Sequence, residues 1–371
     1  MTILVPTFRP RLPTAETLLP YLREIDERRW YSNFGPVERR FESALAAHFR
    51  VPSGTVVTVA NATQGLILAL QDVSGDRAGF CMVPAWTHVA SAAAITAAGL
   101  TPWFVDVEPR NWQLTPDGAR QLLERAPQCP RAVMPVSPFG GLVDAEAWDR
   151  YTEDTGIPVV VDAAAAFDTV RPSRTTVQVV SLHATKTLGI GEGGLVLAGD
   201  ERRADRLRRM TNFGLDRDRL SVLPGTNAKL SEYAAAVGLA ALETWPNTRA
   251  QLIATARRFL AELAAIPEVS PMPALDGEIA TSTANIILAH RNANAVIDFL
   301  RNRGIEARKW WAGACHRHKQ FLPHPRASLP VTEDLADRVI GLPFFIEITD
   351  AQLRSVFDGL RAALARRLEP A

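Results

Sequence analysis

Asp162 and Lys186 are the two residues whose types and settings most suggest chemistry. Ile157-Pro-Val-Val-Val-Asp162 is an apolar run of buried-strand type that closes on one carboxylate, and ligands of open α/β sheets bind outside the carboxyl ends of strands. A carboxylate buried there needs a cation or hydrogen-bond donors to offset its desolvation. The next apolar run, Val177 to Leu182, leads into His183-Ala-Thr-Lys186 and a glycine-rich turn, which brings an amine and the Ser181 hydroxyl toward the same sheet edge. Asp162 and Lys186 can then face one ligand or form an ordinary buried ion pair, and spacing alone leaves both readings open.

Two more loops belong to the same edge. After the strand-like Thr55 to Ala60 comes Asn61-Ala-Thr63-Gln64-Gly, opening a helix expected over Gly65 to Gln71, and free N–H groups at a helix N-terminus suit an anion such as phosphate. Thr63 taken alone is as well explained as a helix cap. After Phe80 to Val83, the rings of Trp86 and His88 are able to stack on a heteroaromatic ligand. Other motifs are weaker. Gly189, Gly191 and Gly194 in GIGEGG match a dinucleotide-binding pattern, but they lead into a strand-like segment instead of opening a helix. Cys315, His316 and His318 lack a second ligand cluster and read better as a pocket rim or loop than as a metal site, so no metal is expected.

Seven strand candidates position these loops: 55–60, 80–83, 101–105, 131–136, 157–162, 177–182 and 195–198, with helical stretches between most of them. Such alternation predicts an α/β fold with a mostly parallel seven-stranded sheet covered by helices on both faces. A long helical stretch over 229–266, expected to break at Pro246, and the proline-rich 267–273 mark a boundary. The reading is an N-terminal segment and large domain over 1–245 and a smaller α+β domain over 246–371, with a strand at 284–289, helices at 292–303 and 349–367, and an irregular Trp/His/Pro-rich region to Pro330. A chain of 371 residues with 47% hydrophobic side chains buries a large core without staples. Its three isolated cysteines give no disulfide framework, which suits a reducing cytoplasm. Its 41 basic and 40 acidic side chains give no general pull on nucleic acid or membrane, so the expected partner is a small molecule. The uncharged stretch 78–105 is interrupted by Pro84, Trp86, His88 and Ser91 and reads as strand, loop and buried helix, not as a membrane span.

In order along the chain, YSNFGPVERRFESALAAHF, VANATQGLILAL, VPAWTHVASAAAITAAGLTPWFVDVEP, VVVDAAAAFD, SLHATKTLGIGEGG, GTNAKLSEYAAAVGLAAL and LPFFIEIT resemble the pyridoxal-phosphate-dependent nucleotide-sugar aminotransferases of the DegT/DnrJ type, which have the aspartate-aminotransferase fold (fold type I). The resemblance implies that Lys186 holds pyridoxal 5'-phosphate covalently and that Asp162 pairs with its pyridine nitrogen. It further implies that His88, with Trp86 as second candidate, stacks on the ring, and that Thr63, the Gln64 amide and Ser181 hold the phosphate. Asn227 is similar to an asparagine that reaches the phosphate from a neighbouring subunit, which implies a homodimer with shared sites. The expected reaction moves an amino group from L-glutamate to the ketone of a nucleotide-diphospho keto-deoxyhexose, a 4-keto-6-deoxy sugar at family level. The region 309–321, with Trp310 and Trp311, either lines the nucleotide site or packs between the domains. The alternatives are a cofactor-dependent sugar dehydratase, against which Lys186 argues because that branch carries histidine there, and a non-catalytic cofactor-binding regulator. Three positions depart from the pattern. Ala165 stands where Gln or His contacts the ring oxygen, Ala62 replaces a common glycine, and Lys229 replaces a common arginine.

Overall fold

The computed structural model describes residues 4–75 and 78–366. Strands β1 (Val56–Val59), β2 (Phe80–Pro84), β3 (Thr101–Val105), β4 (Ala132–Val133), β5 (Val160–Asp162), β6 (Val177–Ser181) and β7 (Gly194–Leu197) fall where the apolar runs predict them. Two hydrogen-bonded sets, β1-β7-β6-β5 and β3-β2-β4, are joined by single parallel bridges Val133–Val159 and Val136–Asp162. The large sheet therefore runs β1-β7-β6-β5-β4-β2-β3. Every neighbouring pair is parallel except those made by β7, which runs against both β1 and β6. The reason is local. Residues 182–193 turn back on the same edge through Leu182 N–H to Gly193 O and Ile190 N–H to Leu182 O, and a tight return of this kind can join only antiparallel strands. That return keeps Lys186 at the sheet's carboxyl edge.

Alternate strand residues enter separate cores. Val56, Val180, Leu195 and Leu197 pack on one face, and Val57, Val59, Val177, Val179 and Val196 on the other. Both faces are covered by helices, so the strands read as unbroken apolar runs instead of alternating with polar residues. The stretch 78–105 resolves into β2, the helix Val89–Ala97 and β3, and no described helix is long and apolar enough to cross a membrane.

The expected break at Pro246 does not occur. One helix, Glu232–Leu263, runs through it for 32 residues, and the 245/246 division falls inside that helix. A proline removes one backbone hydrogen bond and crowds the preceding turn. Here Trp245, Leu252 and Ile253 are buried on either side of it, and the helix Pro36–Phe49 lies so close that the Phe41 ring covers Gly238, so packing outweighs the local defect.

The remaining chain forms an antiparallel sheet in the order β10-β9-β8, from β8 (Val269–Pro271), β9 (Ala284–Leu288) and β10 (Val339–Leu342), with helices Ala293–Arg301, Pro330–Arg338 and Asp350–Ala365. The last helix was expected to reach Arg367, which lies outside the described residues. Residues 4–7 cross to this part of the fold. Val5 bridges Ile305 in parallel, and the Thr7 N–H donates to Glu306 Oε2 at 2.9 Å.

Candidate active site

The carboxyl ends of β1, β2, β5 and β6 open into a cavity of about 730 Å3 whose lining includes Thr63, Gln64, His88, Asp162, Ser181 and Lys186. The structure thus brings together six of the seven residues singled out from the sequence.

Asp162 ends β5 and is 5% exposed. Its Oδ1 accepts from the Ala164 N–H at 3.1 Å and its Oδ2 from the Ser91 hydroxyl at 2.6 Å. Ser91 Oγ lies 2.7 Å from Thr87 Oγ1, and because the Ser91 proton is committed to Asp162, Thr87 donates in that pair. Neither hydroxyl was singled out in the sequence, and Thr87 lies ahead of the helix Val89–Ala97, so helical spacing does not reveal the pair. Among the described residues Asp162 has no ion-pair partner, so the ordinary Asp/Lys pair is not formed. Lys186 Nζ likewise makes no ion pair there. Burial pulls its pKa below the usual lysine range, and the negative charge of Asp162 opposes that shift. A buried carboxylate lacking a cation and a recessed amine of lowered basicity thus line one cavity.

The helix that borders this cavity begins earlier than expected, spanning Ala62–Ser74. Asn61, not Thr63, is its cap, with Oδ1 accepting from the Gln64 N–H at 2.9 Å. The Gln64 amide is therefore already partnered, while Thr63 sits in the first turn with its side chain at the cavity wall. Gly194, opposite both Val59 and Ser181, lets the helix start close: a Cβ there would lie 2.7 Å from the Ala62 nitrogen. Ser181 Oγ accepts from the His183 N–H at 3.2 Å, which leaves its own proton free to donate.

His88 caps the helix Val89–Ala97 through Nδ1, which accepts from the Ala90 N–H at 3.2 Å, and its ring borders the cavity. Partial desolvation and the nearby Lys186 charge lower its pKa. Trp86 does not share this role. It is buried edge-on against Trp112 and Trp311, at 5.9 and 5.0 Å between ring centroids. Within 309–321 the two readings divide by residue. Trp310 and Trp311 line the cavity, whereas Cys315, His316 and Phe321 are buried, His316 Nε2 lying 2.7 Å from Glu333 Oε1. Trp311 stacks on Phe139 at 4.1 Å and 10°, closing the wall on which Ala165 also lies.

Asn227 stands apart. It borders a second cavity, about 820 Å3, with Ser32, Asn33, Asn212 and Arg219, and Lys229 Nζ donates to Asn227 Oδ1 and Asn212 Oδ1 at 2.8 Å each. Around these residues Trp30, Tyr31, Phe213, Leu220, Val222 and Tyr233 are exposed. One chain alone does not bring Asn227 to Lys186.

The sequence profile of the DegT/DnrJ/EryC1/StrS aminotransferase family matches residues 14–361. The chain belongs to that family. It is 31% identical to Protein Rv3402c of Mycobacterium tuberculosis, over 98% of this chain and 90% of that protein. It is 30% identical to the dTDP-3-amino-3,4,6-trideoxy-alpha-D-glucose transaminase of Streptomyces venezuelae, over 94% and 92%. The crystal structure of a putative PLP-dependent aminotransferase from Bacillus cereus superposes with a TM-score of 0.90 at 28% identity, covering 96% of this chain and 99% of that one. The α/β aminotransferase fold expected from the sequence is thus the observed one.

Proposed function

We propose that this chain binds pyridoxal 5'-phosphate and moves an amino group from L-glutamate to the ketone of a nucleotide-diphospho keto-deoxyhexose. The observation that carries the reading is the Asp162 carboxylate and the Lys186 amine, neither ion-paired among the described residues, lining one cavity beside a helix N-terminus. A pyridinium nitrogen is the cation Asp162 lacks, and its charge keeps that nitrogen protonated. Ser91 and Thr87 hold the carboxylate in place. Thr63 and Ser181 offer hydroxyl donors to a phosphate, alongside the first-turn N–H groups of the helix Ala62–Ser74. His88 offers a ring face. When bound, the cofactor supplies an aldehyde that takes up the donor's amino group and a ring that accepts electrons.

Lys186 then serves as the proton carrier. Burial favours the neutral form of Nζ, which suits it to accept a proton from the donor's α-carbon and to deliver one to the carbon of the acceptor being aminated. Phe8, Phe139, Trp310 and Trp311 restrict water on the acceptor side. The Streptomyces venezuelae relative is named for a 3-amino sugar. The carbon aminated here is proposed as C4 and is to be read from the product. Asn227, lying beside an exposed apolar surface, supports a homodimer in which each chain completes its partner's site.

The test begins with spectra. The purified protein should take up pyridoxal phosphate with a visible band that borohydride removes, Lys186→Ala should lack that band, and glutamate should bleach it in the wild type. Incubation with a panel of nucleotide keto sugars, with products identified by mass and NMR, then names the acceptor and the carbon. A protein that binds the cofactor but whose band no amino donor bleaches would be a regulator instead.

A further inference from the structure

Lys186 also borders a second, smaller cavity of about 50 Å3 whose walls include Arg9, Arg11, Ser282 and Phe345. Phe8, Thr185, Lys186 and Ser282 line both spaces, so the small cavity adjoins the large one at Lys186. At roughly 10–15 Å3 of such space per water, it has room for a small polar group such as a carboxylate.

The two arginines differ in what holds them. Arg11 Nη2 donates to Gln251 Oε1 at 2.7 Å and Nη1 lies 3.6 Å from Glu347 Oε1. Arg9 forms no ion pair among the described residues, and its guanidinium carbon lies 5.9 Å from the Phe345 ring centroid. Its backbone is not free to drift, because residues 4–7 are pinned to residues 304–306 by four hydrogen bonds from Leu4, Val5 and Thr7, including Thr7 Oγ1 to Glu306 O at 3.1 Å. No described arginine lines the larger cavity. Its charged and titratable lining is Asp162, Glu192, His88, His183 and Lys186, which offers a carboxylate no guanidinium fork, and the lysine is committed to proton transfer.

An amino-acid donor must leave its amino group beside Lys186 and still find a partner for its own carboxylate. We infer that Arg9 is that partner: it binds a carboxylate of the amino-acid donor in the smaller cavity, which Arg9 and Lys186 both line, through two parallel N–H bonds. The inference rests on the aminotransferase reading and names the residue that selects the donor. It leaves the acceptor sugar to the larger cavity, where Phe139, Trp310 and Trp311 stand.

The holoenzyme tests it with Arg9→Gln and Arg9→Lys, with Arg219→Gln as the comparison, since Arg219 borders the Asn227 cavity that a partner subunit would present. Following the bleaching of the cofactor band in single turnover, Arg9→Gln should raise the glutamate concentration for half-maximal rate about thirtyfold, the weight of a lost charge-assisted bond pair. Arg9→Lys should recover part of the loss, and the KM for the nucleotide sugar should stay within about twofold. Glutamine and isoglutamine each carry one carboxylate as an amide. With the one lacking the recognised carboxylate, wild type and Arg9→Gln should become equal. Succinate, which cannot react, should bind the wild-type holoenzyme by calorimetry and lose that binding in Arg9→Gln. Unchanged glutamate saturation and succinate binding in Arg9→Gln, or loss of both in Arg219→Gln alone, would overturn the assignment. Succinate binding that depends on Arg9 in a protein that bleaches with no amino acid would instead support the carboxylate site and sink the aminotransferase reading.

Discussion

Replacing Gly194 by alanine tests how the sheet edge builds the phosphate corner. Gly194 opens β7 between Val59 and Ser181, and the added Cβ would lie 2.7 Å from the Ala62 nitrogen and 3.0 Å from its Cα. Both are backbone atoms in the first turn of the helix that carries Thr63, so neither can rotate away. Reaching ordinary contact at 3.4 Å requires the strand end and helix start to part by about 0.7 Å. Overpacking of this kind costs about 1–3 kcal/mol. The displacement is aimed at the proposed phosphate ligands, and if about half of the cost is felt in binding, cofactor affinity falls roughly two- to thirteenfold. Titrating apo protein with pyridoxal phosphate, read by visible absorbance and by the rise in Tm, measures it. An affinity within twofold of wild type, with Tm also unchanged, would show that the junction yields freely and that the close approach has no role in the site.

Three further outcomes are expected. Ser91→Ala removes the 2.6 Å bond to Asp162 and strands the buried Thr87 hydroxyl, so Tm should fall by an amount matching about 1–3 kcal/mol and the cofactor should dissociate faster; equal dissociation rates would refute the positioning role. Glu38 and Glu42 lie one helical turn apart on Thr58, with Arg208 paired to Glu42 at 3.1 Å, and burial followed by the Glu42 charge pushes Glu38 up to about 8 from 4.5. A raised folded pKa means that this contribution is full below about pH 4.5 and is lost as pH climbs to 8, so urea unfolding should show Glu38→Gln gaining on the wild type by a few kcal/mol across pH 5–8; parallel profiles would contradict it. Mixing inactive Lys186→Ala and Asn227→Ala proteins should restore about a quarter of wild-type activity if each site draws on two chains, and no recovery would rule out sharing.

The sequence by itself determined the chemistry-bearing strand ends. An apolar run ending in a carboxylate at Asp162, a lysine just past the next run, and a capped helix after β1 are local patterns, and each landed on the same sheet edge because parallel strands present their carboxyl ends together. Tertiary structure decided what depends on residues distant in the chain. The survival of the helix through Pro246 follows from packing that no local signal records. The passage of Phe8 and Arg9 to Lys186 depends on Thr7 meeting Glu306 across 299 residues of chain. The separation of Asn227 from the Lys186 cavity is likewise legible only in three dimensions, because propensity and spacing act over a few residues while closure of a site depends on which distant surfaces bury each other.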